Sequence, residues 1–261
     1  MRLAFEKWHG TGNDFILIDD RTGEFPASDL DLVRGLCDRH FGIGSDGLIL
    51  VQSPREQNTH FHMEFFNPDA SKSFCGNGSR CAFAFWSALN GEVQSARFTA
   101  IDGVHEAVWE NGLPRVSLSA SGSIERIGEN VDLIHTGSPH LLIWVKDPEA
   151  MDIVPEAHAH RYSPRFAKEG VNVNFLRWHQ GRVEMRTYER GVEAETLSCG
   201  TGVTAAALGA IARGHAQPGS VRVSTRGGDL KVDAKRDATG RFTDVHLCGP
   251  AECVFTGSIA I

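Results

Sequence analysis

Two cysteines of this chain occupy closely similar sequence settings, one in each half. Cys75 lies in Phe-Cys-Gly-Asn-Gly and Cys199 lies in Ser-Cys-Gly-Thr-Gly. Each follows a predicted strand and a polar turn, and each precedes an apolar stretch with helical character, Ser79–Leu89 or Val203–Arg213. A thiol at the start of a helix faces the positive end of the helix dipole and backbone N–H groups without a helical partner, so its thiolate is stabilised. The repetition therefore favours a fold with two similar halves and suggests a pair of related reactive groups.

The order of elements is repeated as well. Each half has strands, a polar turn, Cys-Gly-x-Gly, a long apolar helix and further strands, and the β-rich segments run from Leu3–His9 to Cys253–Thr256. A third helix is predicted at Leu30–His40, with Ser28 or Asp29 as its N-cap. A helix that is apolar nearly all round belongs inside a protein. We therefore predict an α+β protein of two pseudo-symmetric lobes, each a mostly antiparallel sheet wrapped around a central helix.

The division between the lobes is predicted at a Ser/Gly-rich stretch, Ser119–Ser123. Residues 1–119 would form an N-terminal lobe and residues 120–251 a C-terminal lobe. Both cysteines would then lie at the mouth between the lobes, where ligand sites commonly form.

Composition narrows the functional classes. The 261 residues are 41% hydrophobic and 23% charged, as in ordinary globular proteins, and the formal net charge of -7 argues against a nucleic-acid partner. Residues 1–20 lack the apolar core of a signal peptide, and no run reaches the roughly 18 apolar residues of a membrane span. We expect a cytoplasmic protein with no membrane partner, whose six cysteines stay reduced.

A pair of thiols suits one kind of reaction in particular. Inverting a stereocentre that bears a proton requires removal of the proton from one face and delivery of another to the opposite face, which one base cannot do. Cys75 and Cys199 on opposite lobes can do it, one as thiolate and the other as thiol, because their ordinary pKa of about 8.5 makes both forms accessible. The backbone N–H groups of residues 76–77 and 200–201 would stabilise the developing charge as an oxyanion hole does. This chemistry needs no cofactor.

Other uses of the cysteines and glycines fit the sequence less well. A free cysteine is usually a small apolar core residue, and this is our interpretation of Cys37, Cys81, Cys248 and Cys253. The chain has no Cys-x-x-Cys, and the paired histidines His60/His62 and His158/His160 lack a third ligand, so we expect surface or strand-face histidines and no metal.

The glycine-rich run 42–47 does not predict a nucleotide site. It follows a helix and precedes a strand, whereas the glycines of a dinucleotide-binding site follow a strand and precede a helix. A non-catalytic, metal- or redox-responsive thiol protein stays open as the alternative from another class.

Polar residues near the predicted turns could bind a zwitterion. Glu189 offers a carboxylate for an ammonium group, and Arg190 offers a fork for a carboxylate. Asn13, Asn67 and Asn172 lie in turn sequences, and turn formation is their default interpretation.

Six stretches, taken together, carry a family resemblance. They are His9–Phe15, Arg39–Gly44, Phe66–Asp69, Cys75–Cys81, Gly137–His140 and Tyr188–Gly191 with its continuation through Glu195-Thr to Cys199–Gly202. The chain resembles the diaminopimelate epimerases, a family of amino-acid epimerases that work without pyridoxal phosphate.

The resemblance implies interconversion of LL- and meso-diaminopimelate in lysine and cell-wall precursor synthesis, by a cytoplasmic homodimer without a cofactor. It also implies two similar lobes closing over substrate, with the C-terminal strand 252–261 crossing back to the first lobe. By matching position, Cys75 and Cys199 become the two acid/base groups, and His140 would support their protonation states. The remaining positions become substrate-binding residues: Gly76, Asn77, Gly200 and Thr201 for the reacting carboxylate, Glu189 for the reacting ammonium, Arg190 for the distal carboxylate, and Asn13, Asn67 and Asn172 for the rest of the distal amino-acid end.

Three positions depart from the family pattern. Ser138 stands where asparagine is frequent, Gly47 where some members have glutamine, and Ala70 where a turn glycine is usual. The alternative substrate within the same chemistry is proline or hydroxyproline, as in the related proline racemases. The distal set of asparagines and one arginine favours a longer substrate with a second charged end.

Overall fold

The computed structural model describes residues 2–119 and 123–261 and separates into two compact units. The first unit comprises the residues up to Ser117 together with Gly249–Ile261, and the second comprises the described residues of Leu118–Cys248. The boundary drawn from sequence between residues 119 and 120 touches residues 120–122, which lie outside the described residues. That boundary, and the one at residues 251–252, stay predictions.

The helices and strands of each unit follow one another in the same general order. Up to residue 117 the elements are β1 (Arg2–Gly10), β2 (Asn13–Asp19), α1 (Leu30–Cys37), β3 (Leu48–Gln52), β4 (Phe61–Phe66), α2 (Gly76–Leu89), β5 (Ser95–Ala100), β6 (Gly103–Glu110) and β7 (Leu113–Ser117). The second unit contains β8 (Glu125–Gly128), β9 (Val131–His135), β10 (Pro139–Trp144), a 3₁₀ turn (Pro148–Ala150), α3 (Ile153–Arg161), β11 (Asn172–His179), β12 (Arg182–Glu189), β13 (Ala194–Thr196), α4 (Gly200–Ala212), β14 (Gly219–Thr225), β15 (Gly228–Arg236) and β16 (Phe242–Cys248). The last strand, β17 (Glu252–Ala260), returns to the first unit.

The strands of the two units pair in the same pattern. In the first unit the order is β17-β1-β2-β3-β4-β5-β6-β7, antiparallel except at β2–β3 and β4–β5. In the second it is β8-β9-β10-β11-β12-β14-β15-β16, antiparallel except at β10–β11 and β12–β14, with the short β13 alongside β12. A helix joins each parallel pair, because parallel neighbours need a long crossover. The predicted fold class of two pseudo-symmetric, mostly antiparallel sheets is confirmed, and β17 has in the first sheet the place that β8 has in the second.

One helix lies inside the curve of each sheet. Helix α2 is buried from Gly76 to Ser87 and contacts β1, β2, β3, β4 and β7. Helix α4 is buried along almost its whole length and contacts β9–β12 and β14–β16. Its packing is close: a Cβ added at Gly209 would lie 2.7 Å from Leu142 Cδ1. The apolar surface predicted from the sequence of both helices is therefore buried over most of their length.

The other two helices cover the outer faces of the sheets. Strand β2 is buried on both faces, with Phe15 and Leu17 in the core around α2 and Ile16 and Ile18 in the core with α1. Helix α3 takes the corresponding outer position in the second unit, where Ala157 packs in a core with residues of β10–β12. Among the described residues, no helix is both long enough and apolar enough to cross a membrane.

Several elements differ from the sequence-based expectation. Helices α2 and α4 begin at Gly76 and Gly200, earlier than predicted, because burial outweighs the low helix propensity of their glycines. Helix α3 was not expected, since Pro155 lies within it, but proline is tolerated in the first turn of a helix. Strands β8 and β13 were not expected either, because both are short and polar.

The central helices should carry much of the stability of their units. Leu208 on α4 is fully buried, whereas Leu197 in the same unit is 52% exposed. Leu208→Ala should lower the free energy of unfolding by about 2–5 kcal/mol, because it removes buried methyl groups and leaves a cavity. Leu197→Ala should change it by about 0.5 kcal/mol or less. Urea unfolding followed by circular dichroism measures both, and equal midpoints for the two variants would contradict a core centred on α4.

Candidate active site

Cys75 caps the central helix of the first unit. It is the N-cap of α2, with an extended backbone, and its Sγ accepts a hydrogen bond from the Gly78 N–H at 3.4 Å. The same sulfur lies 3.9 Å from Asn13 Oδ1, which accepts from the thiol. A Cβ at Gly78 would lie 3.0 Å from Ile49 Cδ1, so a glycine suits this first turn. The half-buried thiol thus has a donor that favours its thiolate and an acceptor that favours its protonated form.

The orientation of Asn13 is held by a charged network. Its Nδ2 donates to Asp46 Oδ2 at 2.8 Å, and the other oxygen of Asp46 accepts from Arg39 at 2.6 Å. Asp14 lies beside them and forms ion pairs with Lys7 and Arg39, both at 2.7 Å. Burial alone would raise the pKa of Asp14, but hydrogen bonds from Arg39 and Lys7 outweigh it and lower the pKa to about 2. Because Asp46 takes the amide N–H₂, the carbonyl oxygen of Asn13 points at Cys75.

The other asparagines of the first unit play different structural parts. Asn77 Nδ2 donates to Asn13 Oδ1 at 3.3 Å, and Asn77 Oδ1 accepts from the fully buried Arg80 at 2.9 Å. Asn67 Nδ2 instead donates to the hydroxyls of Ser71 (3.0 Å) and Ser73 (3.1 Å), in the turn that leads to Cys75. The structure therefore places Asn13 and Asn77 beside Cys75, while Asn67 stabilises the turn that precedes Cys75.

Cys199 has the equivalent place in the second unit. It is the N-cap of α4, and its Sγ lies 3.4 Å from Thr201 Oγ1. Thr201 Oγ1 is 2.9 Å from His140 Nε2, and Ser138 Oγ is also 2.9 Å from that nitrogen. A Cβ at Gly202 would lie 3.3 Å from His140 Cε1, so the glycine allows the imidazole to approach the helix start. Cys199 is thus connected to His140 through one hydroxyl group.

His140 is electrically neutral in this setting. It is fully buried, and burial is the main reason that its pKa falls to about 3, with the positive charges of His135 and Arg190 lowering it further. A neutral imidazole has one N–H donor and one acceptor nitrogen. His140 therefore acts on the hydrogen-bond network around Cys199 rather than as a nearby positive charge.

Asn172, Glu189 and Arg190, which the sequence predicted as binding residues, lie near the end of β12 in the second unit. Asn172 Nδ2 donates to Ser138 Oγ at 3.1 Å, and Asn172 Oδ1 accepts from the Arg190 backbone N–H at 2.9 Å. Glu189 Oε2 accepts from Thr196 Oγ1 at 2.8 Å. Asn172 therefore links the end of β12 to the hydroxyl network of His140, and its side chain is more than a turn-forming group.

The departures from the family pattern have structural consequences. At Gly47 a Cβ would lie 2.3 Å from Phe65 Cε2, so no side chain fits without moving that ring. Ala70 has φ of 67°, a left-handed conformation that glycine adopts more easily. Ser138 keeps a hydrogen-bonding group at its position, because its hydroxyl contacts both His140 and Asn172.

Two residues of these networks were not identified from the sequence. Asp46 orients Asn13, and Asn174 donates to His140 Nδ1 at 3.2 Å. Asp46 follows a stretch that carries the resemblance, and Asn174 alternates with Asn172 along one strand, so position in the sequence offered a weak signal for both. Neither could be assigned a partner before the folded backbone was known.

The fold alone places the chain among proteins of a known architecture. A phenazine biosynthesis protein of the PhzF family from Bacillus anthracis matches with a TM-score of 0.75 at 11% identity, over 100% of both chains. A hydroxyproline epimerase from Agrobacterium vitis matches with a TM-score of 0.70 at 16% identity, over 100% of this chain and 93% of that one. The chain therefore has the same fold as these two proteins.

Sequence comparison identifies the family. The family profile described as Diaminopimelate epimerase matches residues 5–114 and 133–253. A diaminopimelate epimerase of Flavobacterium psychrophilum is 42% identical over 98% of this chain and 100% of the relative, and one of Aquifex aeolicus is 38% identical over 99% and 98%. The chain belongs to the diaminopimelate epimerase family, and the predicted family and isomerase class are confirmed.

The tight contact at Gly47 leads to a stability prediction. Gly47→Ala should lower the free energy of unfolding by about 1–3 kcal/mol, because the new methyl group overlaps Phe65. Gly35→Ala is the matched control, since an added Cβ there meets nothing within 4 Å on α1 and should stabilise the protein by about 0.4–1 kcal/mol. Denaturant unfolding of both variants tests this, and a Gly47→Ala protein as stable as the natural one would contradict the contact.

The burial of His140 predicts a pH effect. Its folded pKa of about 3 lies below the unfolded value of about 6.5. Its contribution to stability is therefore complete above about pH 6.5 and is lost as the pH falls toward 3, because only the unfolded chain takes up the proton. NMR of the imidazole signals should show His140 unchanged from pH 7 to pH 5. Titration of this ring near pH 6.5 would disprove its burial in the neutral form.

Proposed function

We propose that this protein is a cofactor-independent diaminopimelate epimerase that interconverts the LL and meso isomers with Cys75 and Cys199 as its acid and base. One observation carries the proposal: in a chain of this family, each cysteine is the N-cap of the buried central helix of its own unit. Helix starts favour thiolate over thiol. Two sulfurs in this setting are suited to exchange protons with one carbon atom.

The proposed chemistry is a proton exchange that leaves no net change in the enzyme's composition. One cysteine, as thiolate, removes the α-proton and becomes a thiol, and the bonding electron pair stays on the substrate as a carbanion shared with its carboxylate. The other cysteine, as thiol, delivers its proton to the opposite face and becomes a thiolate. The reverse reaction uses the same groups in exchanged roles. Catalysis of this kind depends on both sulfurs reaching the same carbon.

The reacting carboxylate would be held by the helix starts. The first N–H groups of a helix have no helical acceptor, and here they belong to Gly76 and Asn77 on α2 and to Gly200 and Thr201 on α4. Donors aimed at a site of developing negative charge lower the barrier to carbanion formation. We assign these four residues to the carboxylate of the reacting centre.

The remaining polar residues would recognise the rest of the substrate. Glu189 supplies a carboxylate for the reacting ammonium group, and Arg190 supplies a guanidinium for the distal carboxylate. Asn13, Asn67 and Asn172 complete the distal amino-acid end. A substrate with charged groups at both ends uses this set more fully than proline does, and this favours diaminopimelate.

The wider setting is part of the proposal. The name of the family implies lysine biosynthesis, and we propose a cytoplasmic homodimer that uses no pyridoxal phosphate. We also propose that residues 1–119 with 252–261 and residues 120–251 are the two functional lobes. Size-exclusion chromatography with light scattering tests the dimer, and the absorbance spectrum of the purified protein tests the absence of pyridoxal phosphate.

The cysteine pair gives the central functional prediction. Cys75→Ala and Cys199→Ala should each lower the epimerisation rate by at least about 10²–10⁴-fold, the range expected for loss of an acid–base group. Cys253→Ser is the matched control, because Cys253 is an exposed thiol of β17 and should be dispensable. Deuterium incorporation into LL-diaminopimelate in heavy water measures the reaction. Full activity in either alanine variant would disprove the mechanism.

Two further measurements separate the alternatives. Turnover of L-proline or trans-4-hydroxyproline, with none of diaminopimelate, would reassign the substrate within the same chemistry. Stoichiometric zinc, or a Cys75–Cys199 disulfide that persists under reducing conditions, together with no exchange on either substrate, would favour a metal- or redox-responsive thiol protein. We expect rapid exchange on diaminopimelate and six titratable thiols after denaturation under reducing conditions.

A further inference from the structure

His140 has a polar partner at each of its two ring nitrogens. Nε2 lies 2.9 Å from both Ser138 Oγ and Thr201 Oγ1, and Nδ1 lies 3.2 Å from Asn174 Nδ2. His140 and Asn174 are both fully buried. Because a neutral imidazole carries one N–H, these partners decide which nitrogen holds the proton.

The orientation of the Asn174 amide is set by three further contacts. Its Nδ2 also lies 3.0 Å from the carbonyl oxygen of Leu141 and 3.4 Å from that of Asn172, and its Oδ1 accepts from Thr187 Oγ1 at 3.0 Å. The two amide hydrogens are assigned to the two shorter contacts, Leu141 and His140. Turning the amide over would place two oxygen atoms against each other at Leu141, which a buried group cannot tolerate at low cost. Asn174 therefore presents an N–H to His140, so Nδ1 is the acceptor and Nε2 holds the hydrogen.

This tautomer determines where the neighbouring hydroxyl hydrogens point. The Nε2–H donates into the pair of hydroxyls on Ser138 and Thr201, which are 3.2 Å apart, and Asn172 Nδ2 donates to Ser138 as well. When the Nε2–H is donated to Ser138 Oγ, which also accepts from Asn172, both lone pairs of that oxygen are used and its own hydrogen points to Thr201 Oγ1. The Thr201 hydrogen then has Cys199 Sγ, at 3.4 Å, as its acceptor. A hydrogen bond donated to sulfur favours the thiolate over the thiol.

We propose that Asn174 is a positioning residue that fixes the tautomer of His140 and so directs the Thr201 hydroxyl hydrogen onto Cys199. The residue contacts no reacting atom and acts through His140 and Thr201. The inference deepens the proposed function, since it rests on that function for the use of the Cys199 thiolate. The protonation state of Cys199 is nevertheless measurable without any substrate.

The charged groups around His140 are compatible with this arrangement. His135 on β9 and Arg190 after β12 both favour the neutral ring. Its neighbours Asn172 and Asn174 on β11 are uncharged, the first turn of α4 has no acidic residue, and the carboxylate of Glu189 is engaged by Thr196. His140 therefore stays neutral over the pH range in which thiols titrate, and the tautomer, rather than its charge, is the variable.

The central test reverses the tautomer. In Asn174→Asp a carboxylate accepts the Nδ1–H of His140, so Nε2 becomes an acceptor that competes with Cys199 Sγ for the Thr201 hydrogen. The pH dependence of iodoacetamide alkylation is measured on the free protein, with each cysteine-containing peptide quantified by mass spectrometry. The apparent pKa of Cys199 should rise by about 1 unit, as expected for loss of one hydrogen bond to a charged group, and that of Cys75 should not move.

A double mutant separates the relay from the new negative charge. If Asn174 acts through the Thr201 hydroxyl, Asn174→Asp should add little to the shift already produced by Thr201→Val. A charge acting through space would add the same shift in both backgrounds, and that result would overturn the proposal. No shift of Cys199 in the folded single variant, or equal shifts of both cysteines, would overturn it too.

Two other variants keep the test decisive. Thr187→Val removes the donor that holds the Asn174 amide, so it should also raise the apparent pKa of Cys199, but by less. This variant replaces Asn174→Asp in the test if the aspartate protein does not fold. Tyr188→Phe removes another buried hydroxyl of β12, outside the His140 set, and should leave the Cys199 profile unchanged. A Cys199 shift in Tyr188→Phe as large as in Asn174→Asp would contradict a specific relay.

The test distinguishes this proposal from the proposed function. If diaminopimelate shows no proton exchange but Asn174→Asp shifts Cys199 alone, the relay stands and the substrate is wrong. If exchange is rapid but Cys199 does not respond to Asn174, the epimerase stands and the relay is wrong.

Discussion

The start of a buried helix is the constraint on which this structure depends. The first backbone N–H groups of a helix have no helical acceptor, and burying them without partners is costly. In each unit the central helix begins inside the curved sheet, and a cysteine occupies the N-cap. At Cys75 the sulfur accepts one of these hydrogen bonds, from the Gly78 N–H, and a thiolate accepts such a bond more strongly than a thiol. The architecture thus creates the chemical environment that an acid–base cysteine needs.

The surroundings of the two cysteines are not equivalent, although the units share their strand pattern. Cys75 contacts the carbonyl oxygen of Asn13, whose orientation is held by Asp46. Cys199 contacts the hydroxyl of Thr201, which is connected to a neutral histidine. Cys75 has both a donor, the Gly78 N–H, and an acceptor, Asn13 Oδ1, whereas Cys199 has beside it a hydroxyl that can donate or accept. A reaction that uses one thiol and one thiolate benefits from such a difference, since environments that separate two pKa values also separate acid from base.

The repeated topology explains how a single chain places a cysteine at the start of each of two buried helices. Each sheet has two parallel pairs joined through helices, and the remaining pairs are antiparallel. The strand next to β1 is supplied by the C-terminal β17, whereas the strand next to β9 is the preceding β8. The first unit is therefore completed only when the last segment of the chain has joined it, so its folding depends on a contact between distant parts of the sequence.

The sequence by itself determined the duplicated pattern, the two cysteines at the starts of apolar helices and the membership of one family, because these follow from local composition and spacing. Tertiary structure alone decided that the helices begin at Gly76 and Gly200, that Ile153–Arg161 is helical, and that Asp46 contacts Asn13 and Asn174 contacts His140. Burial can outweigh weak helix propensity, and this effect is invisible in a local segment. The partners of a polar side chain depend on which strands lie side by side, and strand pairing brings together residues far apart in sequence.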